Sequence, residues 1–510
     1  MGMRRGARAG IGIGVLLALA LALALWSVKS RVTVRGPVLH AIAGIGGAQP
    51  TPERLSALRL APGFTPSVYA EGLGPVRVLR FTGTGDLLVS VTRAGKILLV
   101  ERDADGDGRA DGVRTLLDGL DRPHGIDLAD GWLYFAETGA VRRVRFDAAA
   151  GAVSSVPQPV AVLAGGGMHF TRTLRVGPDR ALYVSSGSSC NVCIETTARA
   201  AMLRVDPQTG VVTPYAGGLR NTVGFDWQPG SGALYGVDNG RDLLGDDVPP
   251  DELNRIVAGG FYGWPFWHGD NVPDPTYGSH AAAIGREPIA PAYAFGAHVA
   301  ALSINFFAPD HAPPGFERAA LVGQHGSWNR STLSGYRVSS LHWAADGTIS
   351  ERDFVVGFVQ AGTVTGRPVD ALPGPDGAVY VSDDYAGAIY RVAWDPARAA
   401  PGPLFLPPHA ARLRPSGRQL QDPVAARSRL DPAQRSDSVL ARGAVLFDRH
   451  ACASCHRAGA PGMELAGLGA RYSAAALVAL LETPPASMPV PPLDGSGRAA
   501  LVAYLQAAFP

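Results

Sequence analysis

Three groups of side chains in this sequence have types and spacings suited to chemistry. The first is Cys452-Ala453-Ser454-Cys455-His456. Thiols at i and i+3 share one face of a helical turn. Both can then add to the vinyl groups of a porphyrin while the next histidine ligates its iron, so the run reads as a c-type haem attachment site. The second, Cys190-Asn191-Val192-Cys193, has the same spacing but no following histidine. It fits a small-loop disulfide or two free thiols equally. Neither pair has the second Cys-x-x-Cys partner that a structural zinc site would use. The third is Asp103-Ala104-Asp105-Gly106-Asp107-Gly108-Arg109-Ala110-Asp111, with acidic oxygens at alternate positions and glycine at the sixth. Arg114 stands where a calcium loop wants its bidentate glutamate. Two readings stay open: a structural calcium loop on Asp103, Asp105, Asp107 and Asp111, or a solvated Asp/Gly turn.

The elements that must position the haem motif are helical. Val439 to Phe447 and Ala499 to Ala508 have apolar residues at helical spacing. Two such helices around a Cys-x-x-Cys-His predict a compact all-α domain over 437–510 that resembles the monohaem cytochrome c domain. A thioether sixth ligand suits electron transfer. Met488, in Pro485-Ala486-Ser487-Met488-Pro489 ahead of the last helix, matches the place of that family's distal methionine. Met463 follows His456 too closely to reach over the ring easily.

Upstream, one phrase recurs. An apolar strand meets a Gly/Asp turn, a second strand has an apolar–aromatic centre, and a third ends in Arg-Val or similar. The second strands are Asp86 to Val89, Gly131 to Phe135, Ala181 to Val184, Ala233 to Gly236, Ala320 to Gly323 and Ala378 to Val381. Six copies, mostly about 45 to 60 residues apart, match the period of a β-propeller blade. One longer gap holds an insertion rich in Pro, Gly and aromatics, from Trp264 to Val299. The reading is a mainly β chain with a six-bladed propeller over 55–397. A Pro/Ala/Arg-rich linker over 398–436 and the small cytochrome domain follow it.

Arg4, Arg5 and Arg8 precede an uncharged run from Ala9 to Val28, so residues 1–30 read as a signal peptide or membrane anchor helix. Apolar Leu25 and Trp26 after the cleavage-like Ala22-Leu23-Ala24 favour the anchor. The basic flank predicts that the bulk of the chain is exported, with a periplasmic location held to the inner membrane if the helix is kept. A formal net charge of +2, with 46 basic and 44 acidic residues, gives no reason to expect nucleic acid as a partner.

From His169-Phe170-Thr171-Arg172-Thr173-Leu174 onward the propeller resembles the soluble quinoprotein glucose/sorbosone dehydrogenases. Further matches are Gly218-Leu219-Arg220-Asn221, Val237-Asp238-Asn239-Gly240, Asp251-Glu252-Leu253-Asn254-Arg255-Ile256 and Arg367-Pro368-Val369-Asp370. Ser188 to Cys193 and Gly326-Ser327-Trp328-Asn329-Arg330 resemble the sorbosone-dehydrogenase branch. The resemblance implies pyrroloquinoline quinone as cofactor and His169 as the base that takes the sugar C1 hydroxyl proton. It implies Arg220, Asn221 and Arg367 as quinone-binding side chains, and backbone carbonyls of Gly240 and Arg241 as ligands of a cofactor-bound calcium. Val369 departs from the pattern, replacing a second arginine. The family's cofactor lysine has no counterpart near Gln324 to Trp328, where His325 and Arg330 are the candidate substitutes.

The whole then reads as an exported quinohaemoprotein. It would oxidise an aldose, sorbosone-like sugar or aldehyde and pass electrons through haem c to a soluble cytochrome or a membrane respiratory acceptor. The alternative is a lactonase-like or non-enzymatic propeller carrying an electron-transfer cytochrome. The haem ligation is testable directly. Met488→Ala should abolish the weak near-infrared methionine–iron band and lower the reduction potential; an unchanged spectrum would transfer the ligand role to Met463 or to a different side chain.

Overall fold

The computed structural model of the chain describes residues 36–37, 40, 47–195, 198–398, 437–449, 465, 468–482 and 493–509. Cys452, Cys455, His456, Met463 and Met488 lie outside them, as do the N-terminal apolar run and the linker. The chain divides into two compact units, Met1–Gly417 and Arg418–Pro510. Among the described residues no helix is long and apolar enough to cross a membrane.

The first unit is a six-bladed β-propeller. Its inner strands, which number the blades one to six, are Leu79–Phe81, Ile126–Ala129, Leu174–Val176, Thr222–Trp227, Ala301–Phe306 and Pro368–Pro373. Each opens an antiparallel sheet built around four strands. The second strands are the segments the repeat picked out: Leu87–Val91, Trp132–Glu137, Leu182–Ser186, Leu234–Asp238, Ala319–Gln324 and Val379–Asp383. Five of these six are buried along their whole length. Each is covered on both faces by neighbouring blades, which is why it reads as an unbroken apolar–aromatic run rather than an alternating one.

The rest of the repeated phrase also has a physical job. In blade three Asp179, in the turn, accepts from Tyr183 Oη of the second strand at 3.3 Å and from Arg204 Nε of the third at 2.9 Å. Blade six repeats this with Asp376, Tyr380 at 3.0 Å and Arg391 at 3.0 Å. The insertion lies between the third strand of blade four, Pro250–Ile256, and its fourth, Tyr293–Ala297. It accounts for the long gap in the repeat.

Phe64–Ala70 supplies the outer strand of blade six by pairing with Ala388–Trp394, so the two ends of the propeller share one sheet. Arg59–Leu60, just before it, pairs with the outer strand of blade five. Between blades, three inner-strand carboxylates make the ties. Asp127 accepts from Val176 N at 2.8 Å, Asp226 from Phe306 N at 2.9 Å and Asp370 from Leu79 N at 3.0 Å. These join blade two to three, four to five and six to one.

The second unit contains the helices Ser438–Arg449, Leu468–Arg471, Ala474–Glu482 and Gly495–Ala508. The predicted first and last helices are present, each longer than its apolar core suggested. Asp494 caps the last one, accepting from Gly497 N at 2.6 Å. Its buried face, with Leu501, Tyr504 and Leu505, packs on Ala444 and Phe447 of the first. Gly443 marks the crossing: a Cβ there would sit 2.1 Å from Ala500 O.

Asp370 also accepts from Asn305 Nδ2 at 2.7 Å and lies 3.8 Å from Arg80. Asp370→Ala would strand the buried Leu79 N–H and take a partner from Asn305, which keeps Ala371 O, and from Arg80, which keeps Leu79 O. It should destabilise the propeller by about 3 kcal/mol, read as a lower thermal midpoint, whereas Asp376→Ala in its exposed turn should cost less.

Candidate functional site

Inner strands begin, and second strands end, on one face of the propeller. There the loops enclose a cavity of about 250 Å³ bordered by His169, Asn221, His325, Trp328, Arg367 and Asp384. Four sequence-predicted positions therefore separate into two groups. His169, Asn221 and Arg367 meet at the cavity, and Arg220 does not border it.

His169 is half-buried on the loop before the inner strand of blade three. Two arginines that the sequence did not single out as anchors hold that loop. Arg172, fully buried, donates to His169 O at 3.0 Å and to Ala164 O at 2.8 Å. Arg199 donates to His169 O at 2.8 Å, to Gly187 O at 2.9 Å and to Gly166 O. His169 Nδ1 lies 2.9 Å from both Ser188 O and Ser188 Oγ. Ser188 Oγ donates its own proton to Cys190 O at 2.7 Å. Both neighbours of Nδ1 are thus acceptors, which assigns the proton to Nδ1 and the lone pair to Nε2. Burial and the nearby Arg220, against a raising contact with Ser188, pull the imidazole down to about 3. His169 is neutral throughout the working range. Gly187 makes room here, since a Cβ would fall 2.5 Å from Asn221 Oδ1 and 2.7 Å from His169 Cβ.

Arg367 donates to His325 O and Gly326 O, both at 3.2 Å, and leaves its buried Nη1 without a protein partner. Asn221 Oδ1 is likewise buried and unpartnered. Arg77 and Arg93 also border the cavity, and among the described residues its one carboxylate is Asp384. Asp384 is already engaged, by Arg77 at 2.7 Å and by His325 Nε2 at 2.8 Å. A cationic cavity with an orphaned guanidinium N–H fits an anionic ligand rich in carboxylate or carbonyl oxygen.

Arg220 is spent on the protein. It donates to Asn191 O at 2.9 Å, to Asn239 O at 2.9 Å and to Gly240 O at 2.8 Å. A calcium ion on the Gly240 carbonyl would share that oxygen with the Arg220 guanidinium. Arg241 donates its side chain to Asp274 at 2.8 Å. Cys190 and Cys193, left open by the sequence, form a disulfide. Its short loop presents Asn191, which accepts from Arg220 Nη2 and from Asp242 N, each at 2.9 Å. Of the two candidate substitutes for the lysine, His325 borders the cavity, whereas Arg330 turns to Asp246 O and to Asp247 at 3.1 Å. Val369 and His124 line a separate void of about 20 Å³ on the propeller axis.

The Asp103 loop lies between the third and fourth strands of blade one. Carboxylate oxygens of Asp103, Asp105 and Asp107 fall within 4.8 Å of one another. Asp103 accepts from the loop's own amides, Gly106 N at 2.7 Å and Gly108 N at 2.8 Å, and Asp111 from Ala104 N at 3.3 Å. Asp111 stands outside the acidic triplet.

Beneath the Gly240 loop, Asp251 accepts from Gly240 N at 2.9 Å, and Asp238 accepts from Asn221 N at 3.0 Å. Glu252, half-buried and paired across the sheet with Asp238, has its carboxyl pushed up to about 8 by desolvation, then by repulsion from Asp238. The folded protein therefore holds a proton that the unfolded chain has lost between about pH 4.5 and pH 8. That contribution to stability is complete below the window and disappears as pH rises through it. Glu252 Oε2 faces Asn254 Nδ2 at 3.1 Å, and Asn254 Oδ1 is buried without a partner. An amide at position 252 can satisfy that oxygen once the Asn254 amide turns over. Glu252→Gln should raise the thermal midpoint more at pH 9 than at pH 5; equal shifts at both would show that Glu252 holds no such proton.

Comparison with known proteins agrees with both units. Residues 58–255 match the TrAA12-like family model, and residues 438–505 match that of the cytochrome c oxidase, cbb3-type, subunit III. An uncharacterised protein of Borreliella burgdorferi is 35% identical over 234 residues, 45% of this chain. The match spans 61% of that relative's length. The calcium structure of a Trichoderma reesei family AA12 carbohydrate-active enzyme superposes with a TM-score of 0.59 at 22% identity, over 66% of this chain and 97% of that one. The holo pyranose dehydrogenase PQQ domain of Coprinopsis cinerea gives 0.56 at 20% identity, over 66% and 96%. At these identities the likeness is one of fold.

Proposed function

Because the chain joins a TrAA12-like propeller to a C-terminal cytochrome c domain, we propose that it is a quinohaemoprotein dehydrogenase of sugars. In this reading it oxidises the C1 position of an aldose or sorbosone-like sugar with pyrroloquinoline quinone and sends the electrons through haem c to a respiratory acceptor. The observation that carries the reading is the meeting, at one cavity, of a neutral imidazole presenting Nε2 with the unpartnered Arg367 Nη1.

When bound, the quinone supplies the hydride acceptor. The protein's own residues do the rest. Arg367 and Asn221 border the ligand and can meet its carboxylate and carbonyl oxygens, with Arg77 and Arg93 supplying further positive charge. His169, its tautomer set by Ser188, accepts the hydroxyl proton at Nε2. An imidazole at about 3 is a weak base. Negative charge brought into the cavity by a carboxylated ligand offsets the arginines and raises it towards the working pH.

Calcium would share the Gly240 carbonyl oxygen with Arg220 in this reading. Export, an N-terminal anchor and a soluble or membrane-bound acceptor complete it and rest on the sequence. A lactonase-like metal centre is less well supported by the donor set, because the lining's one carboxylate among the described residues, Asp384, is already held by Arg77 and His325.

The test is the optical spectrum and sugar-dependent dye reduction of the full chain with and without added quinone and calcium. Activity that appears only with the quinone supports the proposal, and none with any aldose would end it. His169→Gln should then cut kcat by roughly 10²–10⁴-fold with quinone affinity largely kept.

A further inference from the structure

Oxidising a hydroxyl to a carbonyl releases two electrons and two protons. In the proposed reaction, on which this inference rests, the O–H proton goes to His169. The C–H hydrogen leaves with both electrons as hydride. Haem c takes electrons singly, so two ferric haem reductions discharge the pair. The hydride's hydrogen is then left in the cavity as a second proton. His169 already carries the first one in that cycle.

A second imidazole borders the same cavity. His325 follows the second strand of blade five, and Asp384 follows that of blade six, across the ring from blade three and His169. His325 Nε2 and Asp384 Oδ1 are 2.8 Å apart, both side chains buried. Burial alone would raise the Asp384 carboxyl, but His325, Arg77 and Arg367 overcome it and hold it below the usual carboxylate range. The carboxylate accepts, so Nε2 carries the proton and Nδ1 the lone pair.

The charged and titratable groups facing this pair are Arg367 of blade six, Arg77 leading into blade one, and His40 from the N-terminal segment. In the ligand-free cavity burial, then Arg367, pull the His325 imidazole down to about 3, and Asp384 is the group that favours a cation there. His169 has no carboxylate among its hydrogen-bond partners.

We propose that His325, paired with Asp384, is the second proton acceptor of the cavity and takes the proton released when electrons pass to the haem. The N–H bond forms at Nδ1, and the proton then leaves to solvent. The carboxylate stabilises the imidazolium without itself taking the proton.

Stopped flow on the full-length holoprotein separates the two halves, because reduction of bound quinone by sugar and reduction of haem are followed at different wavelengths. His325→Gln and Asp384→Asn should each slow haem reduction at least tenfold more than they slow quinone reduction by sugar, a loss well inside the range for a missing proton acceptor. A second readout needs no turnover. Nitrogen NMR of histidine-labelled, quinone-free full chain should show His325 as the Nε2–H tautomer, with its proton shifted downfield and that signal lost in Asp384→Asn.

Unchanged haem reduction in both variants, or slowing confined to the sugar half-reaction, overturns the assignment. So does finding the Nδ1–H tautomer. A wild-type protein that oxidises no sugar would instead strike the proposed function, while the tautomer measurement would still judge the pair.

Discussion

Three inner-strand aspartates, two of them buried, decide whether this propeller has a usable centre. Inner strands of neighbouring blades do not share a sheet, so hydrophobic packing alone would fix their spacing but leave their axial offset soft. Asp127, Asp226 and Asp370 each reach from one inner strand to a backbone N–H of the next. A charged acceptor on a buried amide is directional and strong. These backbone ties fall at alternate blade junctions, and Asp226 and Asp370 also reach across their other junctions, to Arg175 at 3.1 Å and Asn305 at 2.7 Å. Strand sharing by Phe64–Ala70 then closes the ring. The cavity is made of loops from at least four blades, and it keeps its shape only because the strands beneath cannot slide.

The same logic governs the charge at the cavity. Buried guanidiniums are costly unless their N–H groups are met. Arg172, Arg199 and Arg220 meet theirs mostly on backbone carbonyls, each of which could otherwise have been left unpaired by an irregular loop. Carbonyls satisfy the hydrogen bonds without cancelling the positive charge. The site thereby remains cationic in the absence of any ligand, held by groups that do not need the ligand to stay folded. Arg172 Nε and Arg367 Nη1 are left without a partner, and of these two residues Arg367 borders the cavity. The disulfide of Cys190 and Cys193 extends the scheme, because the loop it closes places the Asn191 acceptors on Arg220.

Much of this was legible in the sequence wherever the signal was repeated. Six second strands could be picked out because each is buried on two faces, and the Asp–Tyr–Arg bridge recurs with them. Both terminal helices of the smaller unit follow from apolar spacing. The site was legible only through resemblance, and unevenly. His169, Asn221 and Arg367 come together, while Arg220 is diverted to carbonyls 19 and 20 residues away in sequence. Arg172 stood inside a quoted motif with no role attached, and Arg199 and Asp384 carried no mark at all. Nothing local distinguishes a loop-pinning arginine from a surface one, since its partners are carbonyls from residues such as Gly187 and His169. The His325–Asp384 pair joins residues 59 apart in sequence, from two blades, and no spacing rule could bring them together.

Under the proposed function, joining a propeller to a cytochrome domain answers a mismatch in electron number. Sugar oxidation delivers electrons in pairs, and a haem accepts them one at a time. Because both units belong to one chain, the second electron need not wait for another encounter in solution. The reduced cavity then exists only briefly. Proton release faces the matching constraint, because a proton left beside several arginines would oppose the return of the oxidised state. A carboxylate-backed imidazole opposite the first base relieves that opposition where it arises. Under the proposed function, the two histidines and the two domains are the proton and electron halves of one division of labour.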